Sequence, residues 1–205
     1  MSNKSIYYEY NPWWEQSYQL KHIITRPVLL ERLLSHLNNR QVIFMTGLRR
    51  VGKTTLMKLV IQYLLQNEIS PKHIFYVSLD DFVLKDLSII DVVSEYRSLH
   101  RIPYDEQVYV FLDEITYKQD YRHQLKNLYD KQSTKIYVSS SSSSALRDQR
   151  GYLTGREYIV EVTPLDFDEY LTFKNIVISN GVVAQFPRRC EPRFLRRSNP
   201  GDPMM

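Results

Sequence analysis

The chain has 205 residues, enough for one α/β domain with a full core and a small appendage, and its 43% hydrophobic and 24% charged residues are ordinary for a folded globular chain. No apolar run approaches the length of a membrane span, and the N-terminal MSNKSIYYEYNPWW lacks the apolar centre of a signal peptide, so no membrane partner is expected and a cytoplasmic location follows by default. The net charge of +4 sits mostly in Gln185 to Met205, where five arginines face two acidic residues, so any nucleic-acid partner must engage that tail or act through another protein; the single Cys190 excludes an internal disulfide and a zinc site of the usual spacing.

In chain order, residues 1–25 are tyrosine-rich and carry Trp13-Trp14 after Asn11-Pro12. Two adjacent tryptophans are seldom left in water, so this arm either packs on the core or lines a bound base. Pro27 then opens an amphipathic helix that runs to Leu37 and is closed by Asn38-Asn39, with proline at a first-turn position and His36 partly exposed beside the apolar face.

The stretch from Val42 onward organises the rest. A short apolar run, Val42 to Met45, stops at Gly47, and helical spacing opens at Lys53 and continues through Leu56, Leu59, Val60, Tyr63 and Leu64. Between strand and helix stands Gly47-Leu48-Arg49-Arg50-Val51-Gly52-Lys53-Thr54-Thr55, the pattern G-x-x-x-x-G-K-T in the context that gives it meaning. Glycines at both ends let successive backbone N–H groups curl inward, and the helix behind adds its positive N-terminal dipole, which together suit a polyphosphate. Lys53 is placed to reach the β- and γ-phosphates, and Thr54 to offer its hydroxyl to Mg²⁺. The plain alternative is a glycine turn joining strand and helix.

A second buried strand is expected over His73 to Asp80, finishing in Asp80-Asp81, and a second helix over Leu87 to Leu99, broken by Pro103. The third strand, Val108 to Leu112, runs straight into Asp113-Glu114. Carboxylates at the carboxyl end of a buried parallel strand lie where open α/β sheets bind ligands. After a phosphate loop, Asp113 is the expected holder of Mg²⁺, directly or through water, and Glu114 the residue that orients and polarises an attacking water. A polar helix follows over Asp120 to Lys131, then a fourth strand, Lys135 to Val138, ending in the serine run Ser139 to Ser144. Ser139 or Ser141 is expected to sense the γ-phosphate or the water; otherwise the run is a strand-to-helix loop. Arg156 ends the turn Gly151-Tyr-Leu-Thr-Gly155 ahead of a strand over Tyr158 to Val162. It either completes a site in a neighbouring subunit of a homo-oligomer or pairs with a nearby surface carboxylate. A short helix is expected over Phe167 to Phe173, a last strand is possible at Ile176 to Ser179, and Ala184 to Met205 reads as disordered or loosely docked.

These motifs, taken together and in order, resemble those of a family of prokaryotic, especially archaeal, AAA+-type P-loop ATPases. The resemblance covers residues 10–173 and rests on Asn11-Pro-Trp-Trp14, Gly47 to Thr55, Tyr76-Val-Ser-Leu-Asp80, Val110-Phe-Leu-Asp-Glu-Ile115, the serine run, Leu153-Thr-Gly-Arg156 and Pro164-Leu-Asp-Phe-x-Glu-Tyr-Leu171. It implies a three-layer α/β sandwich with a central, mostly parallel sheet, in which the phosphate-loop strand is near the middle and is separated from the Asp-Glu strand by the sensor strand. It also implies ATP as the nucleotide, Mg²⁺ as cofactor, and Lys53, Thr54, Asp113, Glu114, Ser139 and Arg156 in the roles above. The expected organisation is an aromatic arm and helix (1–40), an ATPase core (41–174) and a short segment with a basic tail (175–205). Two departures stand out: relatives usually have a Thr-Gly-Ser type sensor where this chain has Ser139-Ser140-Ser141, and they continue into a further, often winged-helix-like domain, so this chain reads as a shortened relative whose protein or nucleic-acid target is open.

Overall fold

The computed structural model describes residues 4–21, 23–141, 153–174, 176–179 and 182–185. The chain divides into two compact units, residues 1–165 and 166–205.

The first unit is built on a five-stranded parallel sheet of β1 (Val42–Thr46), β2 (Ile74–Ser78), β3 (Val108–Asp113), β4 (Thr134–Ser140) and β5 (Glu157–Glu161), in the order β2-β3-β4-β1-β5. Its inner strands are buried on both faces, which explains their continuous apolar sequence. The expected insertion of the sensor strand between the phosphate-loop strand and the Asp-Glu strand is observed: β4 pairs with β1 through Met45 and Ser139, and with β3 through Leu112 and Val138. Helix α2 (Pro27–Leu34) precedes β1, and the strands that follow are joined by α3 (Lys53–Gln66), α4 (Ile89–His100) and α5 (Tyr121–Lys131).

Alternation along the strands sorts the two outer layers. Phe44, Phe75, Val77, Val110, Leu112, Ile136 and Val138 share a core with Val92, Val93 and Tyr96 of α4 and Leu125 and Leu128 of α5. The opposite face carries Tyr76, Phe111 and Tyr137; Lys58 of α3 stands over the Tyr76 ring, and the Tyr137 hydroxyl donates to Leu33 O of α2. Helix α4 starts where Ser88 and Asp91 cap each other reciprocally.

The aromatic arm packs on the core and wraps the free edge of β2. Helix α1 (Lys4–Tyr10) sends Tyr7 against Phe75 on one face of the sheet and Tyr10 against Tyr76 on the other. Between them, Asn11 behaves as a short piece of strand: its Nδ2 donates to Tyr76 O at 2.9 Å and its Oδ1 accepts from Tyr76 N at 2.7 Å. The indole N–H groups of Trp13 and Trp14 both donate to Ile74 O, at 3.1 and 3.0 Å. Side chains of Asn11-Pro12-Trp13-Trp14 thus satisfy the edge groups that an unpaired strand would leave open.

Some boundaries differ from expectation. Helix α2 ends at Leu34 and continues to Asn39 only as turns, since Leu37 N bonds Leu34 O rather than a carbonyl one residue further back. Strand β2 ends at Ser78, before Asp80-Asp81; the Ser78 hydroxyl donates to Asp80. The second unit contains α6 (Phe167–Lys174), opened by a reciprocal Asp166–Glu169 cap, and an antiparallel hairpin of β6 (Ile176–Ser179) and β7 (Val182–Gln185). The last expected strand therefore exists but pairs only within this unit, and Ala184 and Gln185 belong to β7 rather than to an irregular tail. Gly151, Ser142 to Ser144 and Phe186 to Met205 lie outside the described residues.

Candidate nucleotide site

The turn after β1 has the shape that its glycines permit. Gly47 takes φ +145°, Arg50 +67° and Gly52 +97°, and α3 begins at the next residue. A Cβ on Gly47 would stand 2.2 Å from Val162 O, so only glycine lets the turn pass the end of β5. Gly52 has open space around it and serves by its backbone angle alone. Leu48, Arg49 and Arg50 are exposed, Val51 and Thr55 half-buried.

Lys53 is 5% exposed and folds back over the turn, where its Nζ donates to Gly47 O at 3.0 Å and Leu48 O at 2.8 Å. Burial pulls its ammonium below the ordinary lysine range and Arg49 adds to that, while Glu114 and Asp113 oppose it. A buried cation whose only anchors are backbone carbonyls at the mouth of a loop is poised to exchange them for anionic oxygens. The adjacent Thr54 hydroxyl donates to Asp113 Oδ2 at 2.6 Å, tying the start of α3 to the end of β3.

Asp113 is itself buried, 3% exposed, and saturated with donors. Its Oδ2 also accepts from the Tyr76 hydroxyl at 2.9 Å, and its Oδ1 accepts from the Ser139 hydroxyl and from Glu114 N at 3.2 Å. Glu114 holds φ +51°, a left-handed conformation that turns its side chain away from the strand direction. Its N–H also donates to Ser139 Oγ at 3.1 Å and its carboxylate accepts from Ser141 Oγ at 2.9 Å. The structure thus brings Gly47 to Thr55, Asp113, Glu114, Ser139 and Ser141 to one end of the sheet, and it places both serines rather than one beside the acidic pair.

Arg156 is not brought there. Because β5 runs parallel to β1 and begins opposite Val42, Arg156 sits at the amino end of the sheet, a strand length of about 16 Å from the loop of its own chain. It pairs with Asp130 at 3.5 Å, and its guanidinium lies over the Tyr129 ring. Two residues at the site carried no role in the sequence reading. Arg26, 8% exposed, donates to Val51 O at 3.3 Å and Thr163 O at 2.7 Å, bracing the loop against the segment after β5; in sequence it is an arginine before a helix-opening proline. Tyr76 sits in an apolar strand, where a tyrosine reads as core; the signal available was its parity with Ser78, the register partner of Asp113.

Chemically, the loop offers curled backbone donors and a mobile cation, and the pair Thr54–Asp113 offers only oxygen. Such an all-oxygen pair suits a hard divalent cation. Among the described residues no group of three or more His, Cys, Asp or Glu lies together.

Residues 39–171 match the profile of a family described as an AAA domain. Over 158 residues the chain is 34% identical to an uncharacterized protein of Methanocaldococcus jannaschii, covering 75% of this chain and 33% of that one. Over 160 residues it is 24% identical to an uncharacterized protein of Haemophilus influenzae, covering 76% and 39%. The chain therefore spans only about a third to two fifths of the length of these relatives. Its fold is shared with the Walker-type ATPase of Pyrococcus abyssi (TM-score 0.53, 18% identity, 79% of this chain and 60% of that one). It is shared also with the Aeropyrum pernix ORC2 protein in its ADPNP–ADP complexes (TM-score 0.56, 14% identity, 79% and 53%). No helix among the described residues is long and apolar enough to cross a membrane.

Proposed function

The chain belongs to the AAA domain family of P-loop ATPases, matched over residues 39–171, and we propose that it binds ATP with Mg²⁺ and hydrolyses the γ-phosphate, with residues 41–174 as the catalytic core. The observation that carries this reading is the 2.6 Å bond between Thr54 and Asp113 beneath a loop over which a buried lysine is held by carbonyls alone. Thr54 and Asp113 would hold Mg²⁺, directly or through water, and the ion would supply positive charge to offset that of the phosphates. The N–H groups of Gly47 to Thr55 cradle the phosphates, and Lys53 leaves its two carbonyls to neutralise the charge that develops as the bond to the leaving oxygen breaks. Glu114 orients the attacking water and takes up its proton, while Ser139 fixes the backbone of Glu114 and Ser141 its carboxylate. Water attacks phosphorus in line, the bridge to the β-phosphate breaks, and ADP and inorganic phosphate leave.

Arg156 acts on a neighbouring copy, and a homo-oligomer is then part of the active form. ADPNP and ADP in the Aeropyrum pernix ORC2 complexes are ligands of the class proposed for this chain. A protein or nucleic-acid target is the partner that such a domain serves.

ATP turnover by the wild type, Lys53→Ala, Glu114→Gln and Arg156→Ala, followed across protein concentration, tests the reading. Turnover is expected to vanish in the first two variants, with Glu114→Gln still binding nucleotide. Activity per chain that rises with concentration and is lost in Arg156→Ala assigns a shared site. Calorimetry giving no heat with Mg²⁺ and any nucleoside triphosphate overturns the proposal. A second reading, binding without useful turnover, is favoured by the Arg156–Asp130 pair at the far end of the sheet. ATP affinity without phosphate release above the Lys53→Ala background selects it.

A further inference from the structure

Tyr76 is the one residue of β2 that reaches the acidic pair, and it does so from the edge of the sheet. Its ring is 4% exposed, packed between Lys58 Nζ at 5.6 Å and the Tyr10 ring at 5.8 Å, and its backbone N–H and C=O are both held by Asn11. A phenylalanine would fill the same space, so packing alone does not call for the hydroxyl. That hydroxyl donates to Asp113 Oδ2, the same oxygen that accepts from Thr54.

With two donors on each oxygen, the Asp113 carboxylate is locked about its own axis. A Thr54 hydroxyl whose hydrogen is committed to that fixed oxygen has only lone pairs left to offer, the state in which it can ligate a cation. Removing the phenol hydroxyl leaves the loop and Lys53 untouched but frees Oδ2 to turn. We propose that Tyr76 is a positioning residue for the Thr54–Asp113 pair, and that its hydroxyl tunes the affinity of that pair for Mg²⁺ rather than the affinity of the loop for phosphate. This rests on the Mg²⁺-nucleotide reading of the site. Residues supporting a ligand in this way commonly change metal affinity by about 10–100-fold when altered.

The test is binding of a fluorescent ATP analogue to wild type, Tyr76→Phe and Tyr10→Phe, measured in EDTA and across a Mg²⁺ titration. Tyr76→Phe is expected to match the wild type in EDTA and to need about tenfold more Mg²⁺ for half-maximal effect. Tyr10→Phe, whose lost hydroxyl bonds Asp81 and not Asp113, is expected to titrate like the wild type. The proposal is overturned if Tyr76→Phe titrates normally, if it weakens binding equally with and without Mg²⁺, or if Tyr10→Phe shifts as far. A wild type that binds no analogue at all removes the underlying reading instead, and that result is read on the wild type alone.

Discussion

The two glycines of the phosphate loop are expected to differ sharply in what an added methyl group costs. In Gly47→Ala the new Cβ would meet Val162 O at 2.2 Å and Val162 C at 3.1 Å. Carbon and carbonyl oxygen settle at about 3.3 Å or more, so one chain must retreat by about 1 Å. The retreat falls where Val162 N donates to Thr46 O at 2.7 Å, the bond that ends the β1–β5 pairing. Losing that bond costs about 1 kcal/mol, and overpacking adds about 1–3 kcal/mol. Strain at φ +145° contributes about 1–2 kcal/mol more, for a total of about 3–6 kcal/mol. Gly52→Ala meets nothing within 4 Å, and φ +97° leaves only the strain, about 1–2 kcal/mol. For a chain of this size each kcal/mol moves the melting temperature by about 2–4 °C. Urea and thermal unfolding of both variants without nucleotide should therefore place Gly47→Ala about 2–4 kcal/mol below Gly52→Ala. Equal losses would refute the steric argument and leave backbone angle as the whole story.

Three further outcomes follow from the packing. Arg97, 2% exposed, spends all three guanidinium nitrogens on Gln132, Pro103 O, Glu106 O, Ser133 O and Thr134; Arg97→Ala should lose about 3–5 kcal/mol in urea unfolding, with Arg97→Lys restoring less than half. His100 has a buried Nε2 with no hydrogen-bond partner among the described residues, and burial, helped by Lys72 and His73, pulls its pKa down to about 4. Because that value lies below the unfolded 6.5, the unfolded chain takes up the proton first; the stability is complete above pH 6.5 and is lost as pH falls toward 4, by about 1–2 kcal/mol at pH 5, a loss that His100→Gln should abolish in urea titrations at pH 7 and 5. Asn11→Ala strips both edge bonds from Tyr76 and should cost about 2–3 kcal/mol with increased aggregation by light scattering; unchanged stability and solubility would contradict the edge-capping role.

The phosphate loop and the acidic strand end were legible because each rests on local rules: glycine angles, apolar runs and carboxylates at strand ends; the order of the inner strands came only with the family resemblance. Residues acting at long range were not. Arg97 lies in an amphipathic helix, where an arginine reads as solvated, and only the fold brings Pro103, Ser133 and Thr134 around it. Asn11 reads as a turn residue, since a side chain imitating a strand leaves no periodic trace. The place of Arg156 follows from direction: a residue just ahead of a parallel strand lies at the end opposite the ligand crevice, and the turn before it drew attention away from that rule.

The arm's hold on β2 also bears on how copies of this molecule can meet. A sheet with two bare flanks can pass its ladder from one molecule to the next without limit. Here one flank of the five-stranded sheet is occupied by Asn11 and the two indoles, so within that sheet only β5 offers an outer flank. Contacts made through that single flank of the five-stranded sheet close on themselves as pairs, so this sheet cannot pass its ladder on through both sides.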